Sequence, residues 1–294
     1  MTNAEIKNPL FREAVEAIDS GDIATLKKLL EEHPQLVKER LQLPGEGYFQ
    51  NPYLIWFIAD NPIRYEKMPE NIVDITRLLI QFVKQQSPDT YQQQINYAYG
   101  LVITGRIPRE CGVQIELMDL FLDAGVKPGT ALGALAHGNI AAAEHLVEKG
   151  GKLDLATAIG LDRKQDIERL SQQSTPEQKQ EALMVAAFFG KADMLSYLVN
   201  AGADVNAYID NSSGFHSHAT ALHQAIYSAS MDAVKVLVNA GAKLTLKDKA
   251  YDGTPVDWAE YMQREVEDAE TKEKYKEIER YLKKLKDTPQ AGEQ

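Results

Sequence analysis

Three histidines crowd one stretch of the chain, His216, His218 and His223. Imidazole ligates metals and serves as a general base, and Asp204 and Asp210 are near enough in sequence to add carboxylates. Zinc needs three or four convergent ligands. The pair His216 and His218 supplies two, so no metal site is assigned. The single cysteine, Cys111, sits in IPRECGVQIE without a nucleophile signature and has no second thiol to pair with. His33 and His145 are scattered, His145 beside Glu144 is ordinary surface chemistry, and paired carboxylates such as Asp19 and Asp22 are common by chance. No glycine-rich phosphate loop and no Walker sequence occurs. No catalytic residue and no cofactor is assigned, and the expectation is a protein that is not an enzyme.

Bulk composition narrows the partners. The chain is 44% hydrophobic and 26% charged, the balance of an ordinary folded protein rather than a disordered one. Its net charge is −11, and a nucleic-acid binder needs the opposite excess to neutralise phosphates. The expected partner is therefore a protein, with a basic one favoured by charge, and neither nucleic acid nor a membrane. No run approaches the roughly 20 apolar residues of a membrane span. The opening MTNAEIKNPLFREAVEA lacks a basic segment followed by an apolar one. A cytoplasmic monomer is expected.

The elements that position any site come from an internal repeat. GKADMLSYLVNAGADVN, from Gly190, aligns without gaps with ASMDAVKVLVNAGAKLT, from Ala229. Further copies are GNIAAAEHLVEKGGKLD from Gly138, VQIELMDLFLDAGVKP from Val113 and GDIATLKKLLEEHP from Gly21. Three apolar columns run through them. One is a pair late in each copy: Leu29-Leu30, Leu78-Leu79, Phe121-Leu122, Leu146-Val147, Leu198-Val199, Leu237-Val238 and Tyr281-Leu282. Three residues earlier stand Leu26, Ile75, Met118, Ala143, Leu195, Val234 and Ile278. Six earlier stand Ile23, Ile72, Ile115, Ile140, Ala192, Met231 and Tyr275. Spacings of three and four predict one buried helical face. A weaker copy carries Ile167 and Leu170, which makes eight modules. The steps average about 36 residues, close to one helix-pair repeat, with long steps at both ends and short ones in the middle.

Each such helix is the second of a pair. The first is short and alanine-rich, clearest in TALHQAIYSA from Thr220 and DGTPVDWAEY from Asp252. Threonine caps a helix through its hydroxyl, and proline suits the first helical position. TALHQA is similar to the ankyrin signature T-P-L-H-x-A, with Ala221 in place of proline. The chain thus resembles the ankyrin repeat family, specifically from about Thr130 to Ala259. The resemblance implies an all-α helical solenoid of about eight irregular helix-pair repeats with short projecting loops, and a concave face that grips a protein. On this reading residues 1–287 form one solenoid, with divergent repeats over 1–128, clearer ones over 129–260 and a C-terminal capping helix over 261–287. The tail 288–294 is expected to be disordered.

The resemblance also points the residues after the conserved alanine of each first helix toward the groove. They are Ala136 and His137, Phe188 and Phe189, and Tyr227 and Ser228. Family sequences favour polar residues there, so the two phenylalanines stand out as anchors. The insertion from Ala207 to Ala219 adds Tyr208, Ile209, Phe215, His216 and His218 where such proteins place a projecting loop. A second insertion, LQLPGEGYFQNP from Leu41, carries Tyr48 and Phe49. The expected function is a protein-binding scaffold or adaptor. The competing reading is an enzyme or regulatory module with its site in the divergent N-terminal half. His223 falls at the family's structural histidine, where the side chain supports the loop.

Overall fold

In the computed structural model the described residues are 3–43, 47–209 and 214–287. Asp210 and the tail from 288 lie outside them. The chain divides into two compact units, Met1–Lys152 and Leu153–Gln294. Among the described residues there is no strand. Two isolated bridges occur, Thr130 with Lys152 and Tyr208 with Thr220.

The first unit begins with the pair α1 (Pro9–Ser20) and α2 (Ile23–Glu32). Asn8 starts α1 by accepting the Phe11 amide at 3.1 Å, and Gly21 ends it in the left-handed region at φ 79°. After the short α3 (Gln35–Lys38), a 3-10 helix (Leu54–Ala59) pairs with α4 (Ile72–Gln86). Then α5 (Tyr91–Thr104) pairs with α7 (Gln114–Asp123) through the short α6 (Arg106–Glu110), and α8 (Leu132–Ala136) pairs with α9 (Ile140–Glu148). The first members of the pairs touch along one layer: α1 on the 3-10 helix, that helix on α5, α5 on α8. The second members touch along another: α2 on α4, α4 on α7, α7 on α9.

The second unit repeats the plan. Its pairs are α10 (Leu155–Gly160) with α11 (Lys164–Ser171), α12 (Pro176–Phe188) with α13 (Ala192–Asn200), α14 (Ala221–Tyr227) with α15 (Met231–Asn239), and α16 (Pro255–Glu265) with α17 (Ala269–Asp287). First helices stack as α10, α12, α14 and α16, and second helices as α13, α15 and α17. Thr175 and Thr254 each form a reciprocal capping box, with Gln178 and Asp257, ahead of a proline at the first helical position. Each unit is therefore built of stacked helix pairs, an all-α ankyrin-type fold.

The apolar columns are refined by this packing. The middle column, Leu26, Ile75, Met118, Ala143, Leu195, Val234 and Ile278, is 0% exposed throughout. Of the late pairs, the inner modules bury the first member (Phe121, Leu146, Leu198 and Leu237), whereas α4 and α17 bury the second (Leu79 and Leu282). The earliest column is only partly core: Ile72 and Tyr275 are buried, but Ile140 is 42% exposed. Ile140 opens α9, whereas Tyr275 lies further inside α17. Ile167 and Leu170 are half-buried, and Ser171 is the buried residue of α11.

Candidate partner-binding groove

The site grows from three consecutive first helices: the ends of α12 and α14, and the body of α16. Phe188 closes α12 and Phe189 caps it, both half-buried. Gly190 then turns the chain at φ 65°. Phe188 stacks on Tyr227 with centroids 5.0 Å apart and planes 25° from parallel, and it meets Phe215 edge-on at 4.9 Å. Phe189 packs edge-on against Phe188 at 5.2 Å. Tyr227, at the end of α14, stays 38% exposed. Its backbone carbonyl accepts the Tyr275 hydroxyl at 2.7 Å, which ties the helix end to α17.

The loop before α14 is pinned from beneath. Phe215 is buried, 1% exposed, so it supports the cluster from behind instead of offering a contact surface. Gln224, fully buried on α14, donates its amide to the carbonyls of Phe215 at 2.8 Å and His216 at 3.1 Å. That fixes the amide orientation, so its Oε1 accepts from His216 Nδ1 at 3.0 Å. His216 holds the left-handed region at φ 30°. Burial pushes its imidazole below the usual histidine range, with nearby His218 adding to the effect and the Gln224 bond opposing it.

His223 is a structural tie, in the place the family resemblance gives it. Its Nδ1 accepts the Thr220 amide at 3.3 Å and faces the Thr220 hydroxyl at 2.8 Å, while Nε2 reaches the Gly253 carbonyl at 3.1 Å. An acceptor at Nδ1 requires the proton on Nε2, which makes the ring neutral. Burial lowers its pKa to about 4, against the bond to Gly253 and the charge of Asp248.

The loop between α15 and α16 adds the far wall. Asp248 is buried and its carboxylate accepts four donors: the amides of Ala250 at 2.9 Å, Tyr251 at 2.7 Å and Gly253 at 2.9 Å, and the Trp258 indole at 3.0 Å. Burial raises its pKa, and the four hydrogen bonds outweigh it, so the group is held below the usual carboxylate range. A Cβ on Gly253 would lie 2.9 Å from that carboxylate, so the turn admits only glycine there without a shift. His216, His218 and Tyr227 face Tyr251, Trp258, Tyr261 and Asp257 across a cavity of about 610 Å³.

Of the residues singled out in the sequence, His216, His218 and Tyr227 line this cavity. Phe188, Phe189 and Phe215 buttress it. Ser228 donates its hydroxyl to the Ala225 carbonyl and caps α14. Tyr208 and Ile209 are half-buried, and Tyr208 reaches the Lys247 carbonyl at 2.5 Å under the Lys249 ammonium, 4.4 Å from its ring. His137 belongs to the first unit, where it is exposed at the end of α8 with Nδ1 at 2.9 Å from the Gly133 carbonyl. The α16 wall was missed, although one signal marks it. Aligning TPVDWAEYM with TALHQAIYS sets Tyr261 and Met262 at the positions of Tyr227 and Ser228.

The first unit holds a different arrangement. Arg64 is buried and donates to Asp19 at 2.7 and 3.3 Å and to the Phe57 carbonyl at 2.9 Å, a closed internal ion pair. A surface hollow between α2 and α4 is lined by Lys27 and Glu31, which pair with each other. Among the described residues no three His, Cys, Asp or Glu side chains gather as a metal would require. No helix among them is long and apolar enough to cross a membrane.

Residues 134–248 match the family model for ankyrin repeats, in three copies. Over this segment the chain is similar to ankyrin repeats. The matched stretch includes α12 and α14, and therefore the wall formed by His216, His218 and Tyr227. Among solved structures, the ankyrin repeat domain of human ASB11 is similar at 15% identity and a TM-score of 0.32, over 92% of this chain and 98% of that one. No curated protein matches the chain.

Proposed function

We propose that the chain is a protein-interaction module that binds through the aromatic groove of its second unit and performs no chemistry of its own. The observation that carries this reading is the supported, open cluster formed by the ends of α12 and α14, the body of α16 and the loop before it. Tyr227, Tyr251 and Tyr261 are exposed there, at 38%, 80% and 51%. Large amphipathic rings held by a rigid frame are what interface anchors require, because little side-chain entropy remains to be lost. Ankyrin repeats in general mediate protein–protein contacts, and the groove lies on the face that first helices and loops present. The adaptor role follows from this binding, as partner capture without turnover.

The reading is tested with a photo-crosslinking amino acid placed at Tyr227, at Tyr261 and, as a control, at Tyr197. Tyr197 is equally exposed but lies on a second helix, α13. Irradiation in the native host should give the same discrete adducts from Tyr227 and Tyr261 and none of them from Tyr197. Adducts absent from the groove positions, or identical at all three, would remove the groove assignment.

A further inference from the structure

The cavity's chemistry specifies more than a surface for some protein. We propose that it seats a cationic side chain of the partner, an alkylammonium or guanidinium head enclosed by aromatic rings beside carboxylates. This inference rests on the reading that the groove binds a protein.

The walls meet as an enclosure. His216 stands 4.7 Å from Tyr227 at 71° and 5.4 Å from Trp258 at 84°. His218 stands 5.7 Å from Tyr251 at 85°. Rings packed at near right angles form a corner, and the negative faces of aromatic rings attract a cation placed against them, tryptophan most strongly.

The strongest ring is also the best prepared. Trp258 donates its indole N–H to the Asp248 carboxylate at 3.0 Å. Donating to an anion pushes electron density back into the indole and deepens the attraction of its face. Asp248 keeps its charge because three backbone amides also bind it. It is itself 2% exposed, so it acts through the indole.

Charge agrees with the rings. Asp248 and Asp257 both line the cavity. Asp257 commits Oδ2 to the Thr254 amide and hydroxyl that start α16. Arg264 is the single lysine or arginine among the described lining residues, and it is solvent-exposed in the last turn of α16. His216 is held neutral by burial, so it adds a ring rather than a competing positive charge. The net charge of −11 favours approach by a basic segment. A cavity of about 610 Å³ accommodates a long side chain with neighbouring backbone.

The test is a titration of the full chain followed on its two tryptophan indole N–H signals. Trp56, in the first unit, donates to the Gln94 carbonyl and serves as internal reference. The probes are the N-acetyl methylamides of lysine, trimethyllysine, arginine and glutamate, with a neutral analogue of trimethyllysine in which carbon replaces nitrogen. At least one cationic probe should move the Trp258 signal saturably and leave Trp56 in place. The neutral analogue should bind about tenfold more weakly, and Tyr227→Leu should weaken the cationic probe by a similar factor. Equal binding of the neutral analogue, tighter binding of the glutamate probe, or no response at Trp258 would each overturn the cation seat. The analogue comparison needs no variant, so a folding defect cannot imitate the result. If groove adducts form but no cation preference is seen, this inference fails and the interaction reading stands. If the adducts are absent, the interaction reading fails first.

Discussion

At the scale of single residues, the site depends on groups whose hydrogen bonds are fully spoken for. His223 shows the consequence. Its folded pKa of about 4 lies below the ordinary 6.5. The unfolded chain therefore binds the extra proton first as pH falls, and folding stability must drop between about pH 6.5 and pH 4. The stability is fully present above that window. At an interval of about 2.5 units the loss attributable to this histidine is roughly 3 kcal/mol. Denaturant midpoints measured from pH 7 to pH 4 should fall steeply for the natural chain. The His223→Gln variant should start lower and show a shallower slope. Parallel slopes would show that His223 is not the titrating tie. Gln224 acts differently, since its amide cannot titrate. It holds the Phe215–His216 carbonyls at any pH.

At the scale of elements, the groove is set by how each first helix ends. α12 stops at Phe188 because the chain must turn at Gly190, in the left-handed region and hard against Ser230, the residue that caps α15. A Cβ on Gly190 would lie 2.8 Å from the Ser230 Cβ. Gly202, which ends α13 at φ 90°, has open space around the same position. Gly202→Ala should thus cost only the backbone strain, about 1 kcal/mol, while Gly190→Ala should cost clearly more. Thermal unfolding of the two variants compares them directly, and equal losses would refute the close approach. Because Phe188 and Phe189 adjoin this turn, the Gly190 variant should also weaken groove crosslinking, and the Gly202 variant should not.

At the scale of the molecule, charge should set the rate at which a basic partner arrives. The chain carries −11 overall, and raising ionic strength from 0.1 to 1 M shortens the screening length from about 10 to about 3 Å. Adduct yield from the photo-crosslinker at Tyr227, at short irradiation times, should fall across that range. A yield independent of salt would show that contact chemistry alone governs capture.

The repeat plan was legible from the chain because helical burial has a period. Seven residues spaced by the repeat, from Leu26 to Ile278, are all 0% exposed. Each needs only its own helix and the next pair to be covered, so local spacing was enough. The column headed by Ile23 was less faithful: Ile72 and Tyr275 are buried, but Ile140, which opens α9, is 42% exposed. Of the residues that line the cavity, His216, His218 and Tyr227 were singled out from loop length and register. The opposite wall was not singled out, although the same register carried one module further reaches Tyr261.

The sequence by itself determined the helix pairs, their caps and the aromatic character of the groove. Those properties depend on residues within a few positions of one another. Tertiary structure alone decided that Phe215 lies beneath the cluster and that Asp248 binds the Trp258 indole ten residues away. It also decided that histidines from one loop face tyrosines from the next. Those outcomes depend on the path of loops between helices, which no periodic pattern encodes, and on which ring reaches a pocket first when several could fill it. The ring type was written in the chain, whereas the enclosure was made by packing.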